Sequence, residues 1–314
     1  MLLALQLALL ACAQPESGRE GARPHEAAPF AKPPIREVRW PRPGPDLQGT
    51  CDASTATALP RGGFLVGDDE HNRLFSFDAD GAPHPPLELP FDGKELDLEG
   101  SARAADGIWW VASHDRGKGT EPKPSRQHLL RTDDAGTVLA DHTDLWSHLV
   151  QHAVLGPLLR ATEGTTSKDV SGFSVEALHV DGASIWLGLR APIVDGKALL
   201  VQLDPASRAV GTVHFVDLGG RGFRALEPHG SALYGIAGPA DDDGDFRLFT
   251  LELPAARPVL LDIDVGSIRP EGLVSLPEGL LAISDDGKVD RSGTPCRDLP
   301  QEARFARTLW VVAP

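Results

Sequence analysis

The chain has 314 residues, and its apolar share of 41% is enough for a packed interior and excludes disorder of the main body. Its formal net charge is −15, from 45 acidic and 30 basic side chains, which argues against binding to nucleic acid or to anionic lipid. The 33 glycines and 27 prolines are typical of a chain with many turns.

The first residues predict a secretion signal. Met1–Ala11 is apolar apart from Gln6 and leads directly into Cys12, which is the pattern of a bacterial lipoprotein signal whose cysteine receives lipid. The stretch is too short to span a bilayer. It has no basic residues, so an ordinary cleaved signal or a start assigned too late remains an alternative. We predict a signal over 1–12, a disordered tether over 13–34, and a protein of the bacterial envelope, facing the periplasm or secreted.

The remainder, 35–314, repeats one phrase: a charged residue, a small residue, an apolar stretch, a turn, and an apolar run ending in charge. The phrase begins at Asp52, Glu99, Glu176, Arg224 and Glu271, so successive units start 47, 77, 48 and 47 residues apart. A strand-and-turn repeat of this length is typical of a β-propeller blade. We predict one all-β domain of five four-stranded blades, with a sixth if the longer interval hides one.

Short apolar and β-branched runs fall in pairs within the units, as expected for neighbouring strands. The predicted strands are Phe64–Gly67, Arg73–Phe77, Ile108–Ala112, His128–Arg131, Ile185–Leu189, Ala198–Leu203, Leu233–Ile236, Phe246–Leu251, Glu271–Leu276, Gly279–Ser284 and Thr308–Val312. The last unit lacks one strand, while Ile35–Trp40 is a strand without a blade. We predict that it completes the last blade, because a closed ring leaves no exposed edge.

The long interval contains an insertion over 141–172. Its one good helical stretch is Asp144–Leu155, which we predict to be capped by Asp144 and to end at Gly156 and Pro157. A helix beside one mouth of a propeller could serve as a lid or pack on the rim, and the sequence leaves both open.

Cys51 and Cys296 lie in the first and last units, which a ring brings together. If Cys12 carries lipid, these two cysteines remain, and we predict a disulfide that closes the ring. Two unpaired buried thiols are the alternative.

The first two strands of each unit run antiparallel, so the start of the first and the end of the second lie at the same mouth of the ring. The residues that open the five units therefore meet a second set at the strand ends. This set comprises Asp68, Asp69, Glu70, His114, Asp115, Arg190, Asp285 and Asp286. Side chains alternate along a strand, so only some of them can face the channel.

Clustered carboxylates suit Ca²⁺, which takes about six to eight oxygen ligands. The candidate metal ligands are Glu99, Glu176, Glu271 and Asp285; the candidate ligand-binding residues are Arg190, Arg221, Arg224, Asp68 and Asp69; and the candidate catalytic residues are His114 and Glu176. The alternative is purely structural, with each glutamate bound to the next blade and each arginine paired with a glutamate.

Many ordered motifs lie between about 50 and 305: Gly67–Glu70, Glu99–Gly100, Ser113–His114, Glu176–Ala177, Gly188–Pro192, Lys197–Val201, Leu218–Arg224, Ala237–Pro239, Pro270–Leu273 and Ser284–Gly287. With these motifs the chain resembles the bacterial family called domain of unknown function 3616. The resemblance implies a propeller-like fold and no established activity.

The Glu-Gly and Ser-Asp-Asp phrases are also similar, more distantly, to phytase-like esterase propellers, a resemblance that implies calcium at the ring mouth. The chain departs from that pattern where Arg224, His114 and Arg190 replace acids.

Our first hypothesis is a monomeric propeller that binds a small anionic or polyol ligand at one mouth and meets the membrane only through Cys12. The second is a calcium-dependent phosphoester or ester hydrolase, in which Arg190 and Arg224 clamp the anion and His114 moves the proton. The third, an interaction module, leaves no trace in the sequence.

Overall fold

Twenty-two short strands account for most of the regular structure in the computed structural model, which describes residues 40–116, 121–167, 169–241 and 244–313. Twenty of them form five four-stranded antiparallel sheets, and the other two pair with each other as β2 (Leu47–Gln48) and β21 (Phe305–Ala306). The first strands of successive sheets contact each other, and the first strand of the fifth sheet contacts that of the first. The protein is therefore a five-bladed β-propeller, as predicted.

Each of the first four blades is a continuous run of strands from the channel outward. Blade 1 is β3 to β6, at Ala53–Ala58, Phe64–Asp68, Arg73–Phe77 and Pro83–Glu88. Blade 2 is β7 to β10, at Leu98–Ala104, Gly107–Ala112, Leu129–Thr132 and Val138–His142. Blade 3 is β11 to β14, at Ser174–Val180, Ile185–Ala191, Ala198–Leu203 and Val210–Val216. Blade 4 is β15 to β18, at Gly222–His229, Ala232–Gly238, Arg247–Glu252 and Arg257–Leu260.

Blade 5 joins the two ends of the described chain. Its strands are β19, β20, β22 and β1, at Pro270–Leu276, Gly279–Ser284, Thr308–Val312 and Arg42–Pro43. An N-terminal strand thus closes the last blade, at Arg42–Pro43 in the described chain; residues 35–39 of the predicted strand Ile35–Trp40 lie outside the described residues. Arg42 pairs with Trp310 in the register and lies over the rings of Trp40 and Trp310. An edge strand tolerates the prolines here because it needs few backbone donors.

The hydrophobic core lies between the blades. Within the described residues, five buried clusters each join two neighbouring blades. One contact shows why the packing needs a glycine: a Cβ at Gly188 of blade 3 would lie 2.6 Å from the ring of Phe223 in blade 4.

The insertion forms two short helices, α1 (Leu145–Gln151) and α2 (Leu155–Arg160), in place of the single helix expected over Asp144–Leu155. His152 is extended and ends α1, while Pro157 lies in the first turn of α2, where a missing N–H costs little. Asp144 precedes α1 but makes no side-chain capping bond; its carboxylate contacts His148 and Arg208 instead. Four leucines of these helices pack into the cluster between blades 2 and 3.

Short 3-10 helices lie at Pro124–Arg126, Cys296–Asp298 and Gln301–Ala303. Among the described residues, no helix is long and apolar enough to cross a membrane.

The predicted disulfide is present between Cys51 and Cys296, with the two Cα atoms 5.9 Å apart. Cys51 precedes the first strand of blade 1, and Cys296 follows the second strand of blade 5. The backbone N–H of Asp286 also donates to the carbonyl of Cys51 at 2.7 Å. The bridge therefore closes the ring covalently where its first and last blades meet.

Candidate functional site

Each innermost strand skips one residue of the register near its start, and in blade 3 a second shift lies directly before it, between Ser174 and Val175. The irregular positions are Ser54, Glu99, Glu176, Arg224 and Glu271, in blades 1 to 5. A β-bulge re-aims a side chain and is common next to functional sites. The predicted phrase began at Asp52 in the first unit, but the structural equivalent of the four later residues is Ser54. Asp52 instead forms an isolated bridge to Asp285 between blades 1 and 5.

Four of these five bulge residues, all but Ser54, line one cavity of about 510 Å³ at the mouth of the channel. Its size lies within the range of about 300 to 1,000 Å³ that is typical of small-molecule sites. Charged side chains of both signs line it: Asp69, Glu70, Asp97, Glu99, Asp115, Glu176, Glu271 and Asp285, with Lys123, Arg126, Arg190, Arg224, Arg269, Lys288 and Arg297. The predicted convergence of Glu99, Glu176 and Glu271 at one mouth is therefore what the structure shows.

Glu176 and Glu271 are held by arginines. Arg224 is 2% exposed, and its Nη1 lies 3.0 Å from Glu176 and 2.6 Å from Glu271. Arg190 donates to Glu176 at 2.9 Å and to the carbonyl of Ala240 at 2.8 Å. The anion clamp predicted for Arg190 and Arg224 is thus already occupied by carboxylates of the protein.

Burial raises the pKa of Glu271 to about 7, although the charge of Arg224 opposes this effect. Glu271 therefore holds a proton more tightly than a solvated glutamate does.

A second basic group neutralises the carboxylates of blade 2. Arg126 lies 2.7 Å from Asp97 and 2.5 Å from Asp115, and it donates to Glu95 at 2.7 Å. Ser113 also donates to Asp97. Burial nevertheless raises the pKa of Asp97 to about 7, with Asp115 adding repulsion.

Asp69 and Glu99 have no such partner. Within the described residues, neither carboxylate accepts a hydrogen bond or forms an ion pair, and Oδ1 of Asp69 is buried. Burial, together with repulsion from surrounding carboxylates, raises the pKa of both groups well above the usual range. An ionised carboxylate is costly here without a countercharge, so Asp69 and Glu99 are the acidic residues of the site that a positively charged partner would stabilise most.

Arg269 is the matching cation. It directly precedes β19 and lines the cavity, but across the described part of the chain its guanidinium has no hydrogen bond or ion pair, and its Nε is buried. Asp285 of the same blade accepts the backbone N–H of Gly287 at 2.9 Å.

Two triplets of carboxylates are compact enough to share a cation. They are Asp69, Asp97 and Glu99, and Asp52, Asp69 and Glu70, with oxygens within 4.8 Å of one another in each triplet. Of the four predicted metal ligands, only Glu99 belongs to either triplet. Oxygen donors of this kind fit Ca²⁺, so the calcium prediction stays open with a different set of ligands.

Three predicted site residues lie away from the cavity lining. His114 is 2% exposed, its Nδ1 lies 3.2 Å from Oε1 of Gln127, and burial lowers its pKa to about 4. Arg221 pairs with Asp245 at 2.6 Å in an exposed loop. Asp68 is buried and accepts a hydrogen bond from Thr50 at 2.6 Å. The structure thus offers a structural role for Arg221 and Asp68.

The sequence analysis missed several charged lining residues, among them Asp97, Arg126, Arg269 and Arg297. Asp97 lies two residues before Glu99, the spacing that places side chains on one face of a strand, so this one carried a signal. The arginines come from connecting segments outside the repeat. Arg297 is next to Cys296 and contacts Asp52, linking the disulfide to the cavity.

Residues 116–264 match the family model described as "Protein of unknown function (DUF3616)". The predicted resemblance to this family is confirmed over that stretch. A search of curated proteins finds no significant match. The similarity to phytase-like esterases stays a prediction.

Solved structures with similar folds include virginiamycin B lyase from Staphylococcus aureus, at 11% identity and a TM-score of 0.37, where the match covers 82% of this chain and 66% of the lyase. The chain therefore spans slightly less than two thirds of that enzyme. A streptogramin B lyase matches at 8% identity and a TM-score of 0.42, covering 87% and 97% of the two chains. A luciferin-regenerating enzyme matches at 7% identity and a TM-score of 0.39, covering 84% and 94%. Values this low say nothing of activity.

Proposed function

We propose that this propeller binds a small polyol or a small molecule with an anionic group in the mouth of its channel, on the bacterial envelope. The observation that carries the proposal is the cavity of about 510 Å³ in which Asp69, Glu99 and Arg269 have no partner among the described residues. All three residues are half-buried, and charged groups that are partly removed from water without a partner are costly, so proteins keep them mainly where function requires them.

Different residues of the cavity suit the two kinds of ligand. Hydroxyl groups of a polyol can donate to the carboxylates of Asp69 and Glu99. An anionic group has Arg269 as its partner, because Arg190 and Arg224 already bind Glu176 and Glu271. A ligand that contacts both the two carboxylates and Arg269 should bind most tightly.

The test is calorimetric titration of the purified full-length protein with a panel of polyols and small organic and phosphate anions. We expect saturable binding of at least one compound; Glu99→Gln should weaken the binding of a polyol, and Arg269→Gln the binding of an anion, about tenfold or more, since a hydrogen bond to a charged group contributes about 1.5 to 3 kcal/mol. Glu252→Gln, at an exposed position in blade 4, is the matched control. A bound compound with the same affinity for the wild type, both site variants and the control would contradict the proposal.

A second candidate is a calcium-dependent ester or phosphoester hydrolase. The compact triplet of Asp69, Asp97 and Glu99 favours it, because three carboxylates this close can hold a hard cation. A bound calcium ion would polarise the ester or phosphoryl oxygen. Proton transfer would fall to Glu271, which belongs to neither carboxylate triplet and whose pKa of about 7 suits an acid or base at neutral pH, since His114 does not line the cavity.

Calcium titration followed by thermal unfolding and an ester and phosphoester panel tests this candidate. We expect calcium to raise the Tm of the wild-type protein and to support turnover that Glu99→Gln abolishes. A Tm unchanged by calcium and by chelation would rule the metal out.

The envelope location rests on Cys12, which lies outside the described residues. We expect Cys12→Ser to release the protein from membranes, while the wild type remains anchored and monomeric. Mass spectrometry of the mature N-terminus would show whether Cys12 carries lipid.

A further inference from the structure

The charges that line the cavity divide into satisfied and unsatisfied groups. Arginines 126, 190, 224 and 297 all form ion pairs with carboxylates of the protein. In the part of the chain that the structure describes, Asp69, Glu99 and Arg269 are the lining residues left with no side-chain hydrogen bond or ion pair. The unsatisfied groups therefore have both signs, which neither a lone cation nor a lone anion can match.

These three groups come from different blades. Asp69 follows the second strand of blade 1, Glu99 is the bulge residue of blade 2, and Arg269 precedes the first strand of blade 5. Blade 1 stands between blades 2 and 5 in the ring. The two carboxylates lie together, with oxygens within 4.8 Å, and neither forms an ion pair with the guanidinium of Arg269, which lines the cavity from blade 5.

An ammonium group fits between the two carboxylates. It has three donors, and charge-assisted N–H···O bonds are about 2.7 to 2.9 Å long, so one nitrogen can bridge oxygens 4.8 Å apart. The guanidinium of Arg269 can grip a carboxylate with two parallel hydrogen bonds. A divalent cation would neutralise the acids but leave Arg269 without a partner, whereas a polyol would donate hydrogen bonds to the acids without supplying a countercharge to either sign.

From this distribution of charge we infer that the ligand of the mouth is a small zwitterion, with its ammonium on Asp69 and Glu99 and its carboxylate on Arg269. The inference rests on the proposed function, because it names the class of molecule that the mouth binds. It assigns the specificity of the site to Arg269, a residue outside the repeat.

The probe is a series of ω-amino acids from glycine to 6-aminohexanoate, which varies the distance between the two charges. Each is titrated into the full-length protein at pH 8 with a chelator present, so that no divalent cation takes part. We expect one or two chain lengths to bind, and the alkylamine and the carboxylic acid of the same length to bind at least about tenfold more weakly.

Variants assign the two ends. Glu99→Gln should weaken binding of the amino acid at least about tenfold without changing the affinity for the matched carboxylic acid. Arg269→Gln should weaken binding of the amino acid by a similar factor without changing the affinity for the matched amine. Arg269→Lys keeps the charge but loses the planar fork, and it should bind at an intermediate affinity. Glu252→Gln and Arg61→Gln, both at exposed positions, are the controls.

Binding of the amine as tight as that of the amino acid, or insensitivity to Arg269→Gln and Arg269→Lys, would overturn the inference. If no amino acid of the series binds while a polyol or an anion does, the zwitterion inference is wrong and the proposed function stands. Failure of every compound in both panels would remove both.

Discussion

Glu99→Gln should make the ligand-free protein more stable at pH 8, although it removes a residue that we place in the binding site. Glu99 has no partner in the described chain, and its carboxylate lies within 4.8 Å of those of Asp69 and Asp97. At an effective dielectric of about 20, a like charge at this distance costs about 3 kcal/mol. Arg126 neutralises Asp97, and protonation limits the repulsion further. We therefore expect a gain of about 1 to 3 kcal/mol.

The gain should depend on pH in a defined direction. Burial and the neighbouring carboxylates raise the pKa of Glu99 in the folded protein well above its ordinary value of 4.5, so the folded state binds its proton more tightly than the unfolded chain does. Stability from this group is complete below pH about 4.5 and is lost as pH rises toward the folded pKa. Glutamine does not titrate, so the difference between variant and wild type should grow by up to about 1.4 kcal/mol per pH unit.

Urea denaturation of wild type, Glu99→Gln and the control Glu252→Gln at pH 5, 6.5 and 8, with a chelator present, measures this difference. The control should stay within about 0.5 kcal/mol of wild type at every pH. A variant less stable than wild type at pH 8, or a difference that stays flat from pH 5 to 8, would refute the idea that Glu99 is an uncompensated charge.

Three further outcomes follow from the same contacts. Replacing Cys51 and Cys296 with serine should lower the free energy of unfolding by about 3 to 5 kcal/mol in denaturant titrations, because the closed loop spans 245 residues; no change would mean that the bridge does not constrain the unfolded chain. Arg224→Gln should cost about 3 kcal/mol or more, since it leaves Glu176 and Glu271 short of a buried cation, whereas Arg221→Gln in an exposed pair should cost less than about 1 kcal/mol; equal losses would contradict this contrast. Burial lowers the pKa of His114 to about 4, so its imidazole should remain neutral at pH 6 in an NMR titration, and His114 should reduce stability as pH falls from about 6.5 toward 4; an observed pKa near 6.5 would show that the ring is solvated.

The repeat was enough to predict that Glu99, Glu176 and Glu271 meet at one mouth of the ring. A period of about 47 residues fixes the blade, and antiparallel pairing then places Glu99, Glu176 and Glu271 at one end of the ring. The disulfide was predictable for the same reason, since a ring joins its first and last units. These inferences use only the order of strands, which the apolar pattern records well.

The first unit and the insertion show where the pattern fails. Asp52 opens a sequence phrase that looks like the others, but the bulge falls at Ser54. The position of a bulge depends on how the strands pair and not on the local sequence alone. The helical stretch at 144–155 divides at His152, where the backbone turns extended. Neither event leaves a mark that a single sequence can show.

The pairing of charges was also beyond the sequence, because ion pairs form across blades. Arg224 contacts Glu176 of one neighbouring blade and Glu271 of the other, which lie 48 and 47 residues away. Arg126, Arg269 and Arg297 enter the cavity from connections whose lengths do not repeat. The structural alternative, in which arginines pair with glutamates, thus holds for Glu176 and Glu271 and fails for Glu99.

The order of the five bulge residues explains why Glu99 is the exception. Going round the ring they are Ser54, Glu99, Glu176, Arg224 and Glu271, so Arg224 has a glutamate on each side and neutralises both. Glu99 has the uncharged Ser54 on one side and Glu176, already bound by two arginines, on the other. One arginine in place of an acid therefore divides the mouth into a half in which the glutamates are paired with arginines and a half in which, among the described residues, Glu99 has no charged partner.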